Sequence, residues 1–154
     1  MLRLSKKTEY GLMAVHLLAR KEPGATASVS EIAGECNVPE VLLSKILQTL
    51  RKQGMVSSVR GAGGGYQLST LPENVSFLTF VRWFEERVTV VECAENGITG
   101  CAQFHNCCVR SPLLNLNEKL HEWLNTVTLA DVFAPSLDGI QTHLAPVAKS
   151  GSFG

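Results

Sequence analysis

Residues 30–68 read SEIAGECNVPEVLLSKILQTLRKQGMVSSVRGAGGGYQL, and the order of elements in this stretch decides the fold. Ser30 is predicted to cap a short helix through Cys36, Asn37-Val38 to make a turn, and Pro39 to take the first position of a helix reaching about Gln53. That is helix-turn-helix spacing. In the longer helix Leu42, Leu43, Ile46, Leu47 and Leu50 share one side, while Val41, Ser44, Lys45, Gln48 and Lys52 share the other. Met55 to Val59 has strand character, which Gln67-Leu68 resumes after Arg60-Gly61-Ala62-Gly63-Gly64-Gly65-Tyr66. The pair reads as a hairpin with a glycine-rich tip, and a helix-turn-helix followed by such a hairpin is a winged helix. A phosphate-cradling glycine loop is a poor rival. The stretch has no Gly-Lys-Ser/Thr, no GxGxxG opening a helix and no βαβ pattern after it.

Upstream, Leu12, Val15, Leu18 and Ala19 recur at helical spacing, which predicts a helix from about Ser5 to Arg20, and Lys21 to Ser28 breaks it. Downstream, Ser76 is placed to cap a helix with an apolar stripe of Phe77, Phe80, Val81 and Phe84. A loop over about 90–110 follows. Ser111-Pro112 then starts a helix to about Val127, striped by Leu113, Leu116, Leu120, Trp123 and Val127, and Thr128 to Val132 forms a short last helix. The expected fold is mainly α with a small β-hairpin wing: a winged helix-turn-helix DNA-binding domain over 1–72, then a sensor loop and a long C-terminal dimerisation helix (about 112–127) within 73–133. A tail over 134–154 is expected to be flexible. The stripe on the long helix can pack on its own domain or against a second copy. A DNA-binding context favours the homodimer, because two-fold sites need two readers.

Charge points the same way. The 154 residues carry no formal net charge and are 45% apolar, which suits a globular chain with a modest core. Residues 1–70 nonetheless hold nine Lys/Arg against five Glu, and the remainder five Lys/Arg against nine Asp/Glu. The basic half is the face expected to meet phosphates of double-stranded DNA. Ser44 and Gln48 can bond base edges and Lys45 and Lys52 can reach phosphates or guanine, with Val41 beside them. Arg60 can enter a narrow minor groove, with Gly61, Gly63 and Gly64 letting backbone come close. The sequence contains neither an apolar run long enough to span a bilayer nor a signal-peptide pattern, so the expected location is cytoplasmic, with no membrane partner.

Five cysteines in a reducing compartment argue for metal or redox chemistry over disulfides. Cys36 stands apart and is expected to be a small buried thiol at a helix end. Cys93, Cys101, Cys107 and Cys108 fall in the loop before the long helix. No enzyme is expected, a thiol oxidoreductase being the least favoured reading: Cys107-Cys108 is vicinal rather than CxxC, no βαβ pattern surrounds it, and no His/Cys or carboxylate pair is convincingly placed.

Arg3-Leu4-Ser5, Tyr10, the helix-turn-helix, the string Val59 to Tyr66, the cysteine loop and Thr128-Leu129-Ala130-Asp131 together resemble the IscR/NsrR family of winged-helix regulators, over roughly residues 2 to 133. The resemblance implies a homodimeric transcription factor, often a repressor, with an iron-sulfur cluster of the 2Fe-2S or 4Fe-4S type in each sensor loop. Soft thiolates at close spacing suit such a cluster. Cys93, Cys101 and Cys107 are the ligands it implies. Seven residues separate the first pair and five the second, against five and five in cluster-binding members, which leaves Cys108 as an alternative to Cys107. In the assembly-regulator type a histidine follows the third cysteine by three places. Here that place holds Arg110, or Ser111 if Cys108 is used, and His105 is out of register. In the nitric-oxide-sensing type an acidic residue near the start of the first helix, from the partner subunit, completes the site, and the matching position is Glu9. The implied mechanism is that ligation across the dimer sets the spacing of the two recognition helices, and that cluster loss, oxidation or nitrosylation changes promoter binding. The alternative is a cluster-free winged-helix regulator controlled by zinc, by cysteine thiol oxidation or by a protein partner. His16, His121 and His143 show no ligand spacing and carry no expected role.

Overall fold

The computed structural model describes residues 3–91, 93–94 and 101–135. Ser5 caps α1 (Lys6–Ala19) by accepting from the Thr8 amide, and the helix buries Ala14, Val15 and Leu18. The next helix, α2 (Val29–Cys36), is capped by Ser28 and not by Ser30 as the sequence suggested. The reason is local chemistry. Ser28 stands three residues before Glu31, so the serine hydroxyl takes the Glu31 amide (3.1 Å) while the Glu31 carboxylate takes the Ser28 amide (2.6 Å). These bonds from Ser28 hold the Glu31 carboxyl below its ordinary range. Asn37 ends α2 in the left-handed conformation at φ 52°, the tight elbow of the helix-turn-helix.

Pro39 is the N-cap of α3 (Glu40–Lys52), one place earlier than its expected first helical position. Its extended ψ of 127° turns its carbonyl to accept the Leu42 and Leu43 amides. Leu43, Ile46, Leu47 and Leu50 are buried. Strands β1 (Val56–Val59) and β2 (Gly65–Leu68) pair antiparallel, with Val56 opposite Leu68 and Val59 opposite Gly65. β2 thus starts two residues before the expected Gln67. The two extra residues pair with β1, Tyr66 opposite Ser58 and Gly65 opposite Val59, and Tyr66 also exchanges both backbone bonds with Ala27, at 2.8 and 2.9 Å. Gly65 is required there, because a Cβ would collide with the Ala27 carbonyl. The wing is thereby tied to the entry of α2.

A 3-10 turn (Pro72–Asn74), not foreseen, leads to α4 (Phe77–Arg82), capped by Ser76 as expected. The long helix α5 (Arg110–Thr126) begins one residue before Ser111, with Val109 as its cap. Pro112 therefore sits third, where its missing N–H costs nothing, since the first helical amides have no intrahelical partner. The last helix is α6 (Leu129–Phe133), where Thr128 and Asp131 form a second capping box. The amides of Phe77 and Leu129 donate to Val127 and Val75, closing the end of α5 onto the start of α4.

One core runs through α1, α2, α3 and the wing, and takes in Val75, Phe80 and Leu129 as well. A second cluster, Leu78, Val81, Val88 and Leu124 with Leu120 and Trp123 against it, joins α4 to α5. The expected stripe on α5 therefore splits. Its inward side is Asn117, Leu120, Trp123 and Leu124, while Leu116 is 51% exposed. Residues 136–154, most of the expected flexible tail, lie outside the described residues, as does His143.

Candidate nucleic-acid interface and cysteine segment

The amphipathic division of α3 puts its polar face outside. Lys45, Gln48 and Lys52 are exposed, Ser44 is half-buried, and Val41 is 74% exposed, an unusual position for a valine on a solvated helix. Arg51, not singled out in the sequence, joins this face to the wing by donating to the Ser58 hydroxyl at 3.3 Å. No local pattern announces that contact, which needs the hairpin folded beside the helix.

The wing tip is held open by backbone. Arg60, Gly61 and Gly63 are exposed. Gly64 passes so near the Val59 carbonyl that a Cβ would overlap it, and Thr26 anchors the tip by donating to the Gly63 carbonyl at 2.6 Å. The polar face of α3 and the basic tip are thus parts of one rigid unit.

The cysteine segment is reached through two anchors. Glu85, just past α4, accepts the Ser5 amide at 2.7 Å and the hydroxyl of fully buried Thr8. Burial would raise its carboxyl, but the bonds from Thr8 and Ser5, with Lys7 nearby, hold it below the ordinary carboxylate range. The second anchor is α5. Buried Asn117 accepts the Val90 amide at 3.0 Å, and the His121 Nε2 contacts the Val88 carbonyl. No local pattern in the sequence marks His121 for this role. Its partner lies 33 residues upstream, where no spacing signal reaches.

Cys93 follows the second anchor by three residues and is half-buried, as are Cys101 and Cys107, while Cys108 is exposed; none is in a disulfide. Residues 101–106 make successive turns, with the Phe104 amide on the Cys101 carbonyl and the Asn106 amide on the Gln103 carbonyl. Arg110 clamps them: its guanidinium donates to the Phe104 carbonyl at 2.7 Å and lies 4.5 Å over the Phe104 ring. A guanidinium stays protonated and has no lone pair to offer a metal, so Arg110 cannot take the ligand place the histidine holds in the assembly-regulator type. Glu9 stands on α1, half-exposed and paired with Lys6 at 2.5 Å, a surface pair that yields easily. Cys36 is a buried thiol at the end of α2, as expected, and burial raises its pKa.

The donor set fits an iron-sulfur cluster by chemistry: three half-buried thiols and one exposed, unpaired and soft. Among the described residues no group of three or more His, Cys, Asp or Glu side chains converges to hold a metal, and residues 95–100, between Cys93 and Cys101, lie outside them. Nor is any described helix long and apolar enough to cross a membrane.

Residues 4–135 match the Rrf2 family, described as iron-dependent transcriptional regulators. The chain is 31% identical over 123 residues to the HTH-type transcriptional regulator NsrR of Bacillus subtilis, covering 80% of each protein. Among solved structures it resembles CymR (YrzC), the global cysteine regulator of B. subtilis, with a TM-score of 0.72 and 29% identity over 88% of this chain and 99% of that one. It also resembles IscR of T. potens, with a TM-score of 0.64 and 28% identity over 94% and 93%.

Proposed function

Because the chain belongs to the Rrf2 family of transcriptional regulators, we propose that it represses promoters as a cytoplasmic homodimer on double-stranded operator DNA. In this reading an iron-sulfur cluster held by Cys93, Cys101 and Cys107 controls it. The observation that carries the reading is the double anchoring of one segment: Glu85 ties it to the start of α1, and Asn117 and His121 tie it to α5, three residues before Cys93. A displacement of Cys93 is therefore felt both by the DNA-reading unit and by the helix best suited to dimerisation.

The residues divide the work. Ser44 and Gln48 read base edges, Lys45 and Lys52 neutralise phosphates, and Val41 packs on apolar base edges such as a thymine methyl. Arg60 follows the minor groove, with Gly61, Gly63 and Gly64 giving the backbone close approach. On α5 the exposed Leu116, with Leu113 beside it, supplies apolar surface for a self-complementary contact that spaces the two α3 helices. Cys93, Cys101 and Cys107 bind as thiolates, Cys108 replacing Cys107 if the turn shifts, and Glu9 from the second subunit fills the place that Arg110 cannot. A cluster so held supplies iron whose ligation responds to nitric oxide, oxygen, redox state or iron-sulfur supply.

A cluster-free regulator working by thiol oxidation is the second reading. It is favoured by the adjacency of half-buried Cys107 and exposed Cys108 and by the likeness to a cysteine regulator. The visible spectrum of protein purified without oxygen, with iron and acid-labile sulfide counted on the same sample, separates the two. Broad absorption with matched iron and sulfide supports the cluster. Colourless protein that also fails anaerobic reconstitution overturns it in favour of thiol, zinc or protein-partner control. If Glu9→Ala takes up cluster and binds DNA as the parent does, the partner-ligand assignment is wrong.

A further inference from the structure

Two cavities share lining residues of α1. One, of about 430 Å³, lies between α1 and α2 and is lined by Met13, His16, Leu17, Arg20, Lys21, Glu35 and Cys36. The other, of about 330 Å³, is lined by Leu12, Met13, His16, Val132 and Phe133, so Met13 and His16 bridge the two. Each is of the size that holds a small organic molecule. Part of the wall is apolar: Met13 is 41% exposed, Leu17 lies beside it, the His16 ring stands 4.8 Å from that of Phe133, and Cys36 is buried at the floor. The rim is cationic. Of the charged side chains that line it, Arg20 and Lys21 outnumber Glu35; Lys21 also feels the Glu31 carboxylate outside the groove, and among the described residues neither cation forms an ion pair.

We infer that this groove is a second ligand site, independent of the cysteine segment, for a small organic anion with a flat apolar body: the body lies on Met13, Leu17 and Cys36, and its carboxylate meets Arg20 and Lys21. The place gives such a ligand leverage. Glu35 and Cys36 end α2, and the left-handed Asn37 and cap Pro39 lead straight from them into α3. An occupied groove bears on the elbow that sets the angle of the DNA-reading helix.

The test is a titration of full-length, methyl-13C-methionine protein with 2-naphthoate. The chain has three methionines, of which Met13 lines the groove and Met55 is fully buried elsewhere and reports folding. The expected result is a saturable shift of the Met13 methyl with Met55 unmoved, and affinity at least tenfold weaker for R20A/K21A and for neutral 2-naphthylmethanol. A Met13 signal unmoved at millimolar naphthoate overturns the proposal, as does equal binding of the alcohol or of the variant. Binding that arises only after deletion of residues 136–154 also overturns it, and assigns the groove to the chain's own segment. If the Met55 signal shows the double variant misfolded, the comparison of naphthoate with the alcohol on the parent protein decides.

Discussion

Replacing Glu85 with alanine removes the acceptor shared by the Ser5 amide and the Thr8 hydroxyl, and leaves that hydroxyl, at a position with no exposure, only the Ser5 hydroxyl at 3.3 Å. Bonds to a charged acceptor contribute about 1.5–3 kcal/mol each. Glu85 is itself partly solvated, so the sum must be discounted for screening, to about 2 kcal/mol in all. For a chain of this size that corresponds to a fall in Tm of about 4–8 °C. The assay is thermal and urea denaturation of the parent, Glu85→Ala, Thr8→Val and the double variant. Because Thr8→Val removes the group that Glu85 satisfies, the two changes should be non-additive, with a coupling of about 1 kcal/mol. The pH dependence carries a definite sign. The folded carboxyl lies below its ordinary value, so its contribution is fully present above that ordinary value and disappears as pH falls through the folded one. Glu85→Gln should therefore flatten the acid side of the stability profile and leave the slope above neutrality alone. Additive single variants with an unchanged acid limb would refute the anchoring of α1 through Glu85.

Other substitutions probe the remaining parts. Gly64→Ala, whose Cβ would overlap the Val59 carbonyl, should distort the wing tip and weaken operator binding in a gel-shift assay while Tm stays within about 2 °C, as expected for a site outside the main core. Lys45→Ala should weaken operator and random DNA alike and lower the salt slope of binding by about 1 per protomer, whereas Gln48→Ala should cost about 1–3 kcal/mol on the operator alone; the reverse pattern in fluorescence anisotropy would reassign the two side chains. Arg110→Ala releases Phe104, so iodoacetamide should label Cys101 and Cys107 several-fold faster in the metal-free chain, and unchanged rates would show that the clamp does not hold the turns.

Much of the winged helix could be read from local rules. The leucine spacing of α3, the Asn37 elbow and the glycine run at the tip each report on a few neighbouring residues, and the structure reproduces them. Where the reading slipped, a longer-range contact or a competing local one had intervened. Ser28 displaced Ser30 because Glu31 could complete a box with it and because Ala27 was already held by Tyr66. The stripe on α5 divided because burial there follows what lies across from the helix, and α4 packs on a face that includes the polar Asn117. The cysteines were legible as chemistry by their number and softness. The restraints on either side of them were not, since Glu85 meets residues 77 and 80 positions away.

Periodicity, capping and turn residues, with the family pattern, thus determined by sequence alone that this is a winged-helix regulator with a thiol-rich segment ahead of a long helix. These signals are short-ranged, and each acts through neighbours along the chain. Tertiary structure decided which groups became partners across the chain: Glu85 with α1, Asn117 and His121 with the segment before Cys93, Arg51 with the wing, and Arg110 with Phe104. The physical reason is that a polar side chain withdrawn from water takes whichever donor or acceptor packing brings within reach, and packing is set by the apolar faces of distant elements.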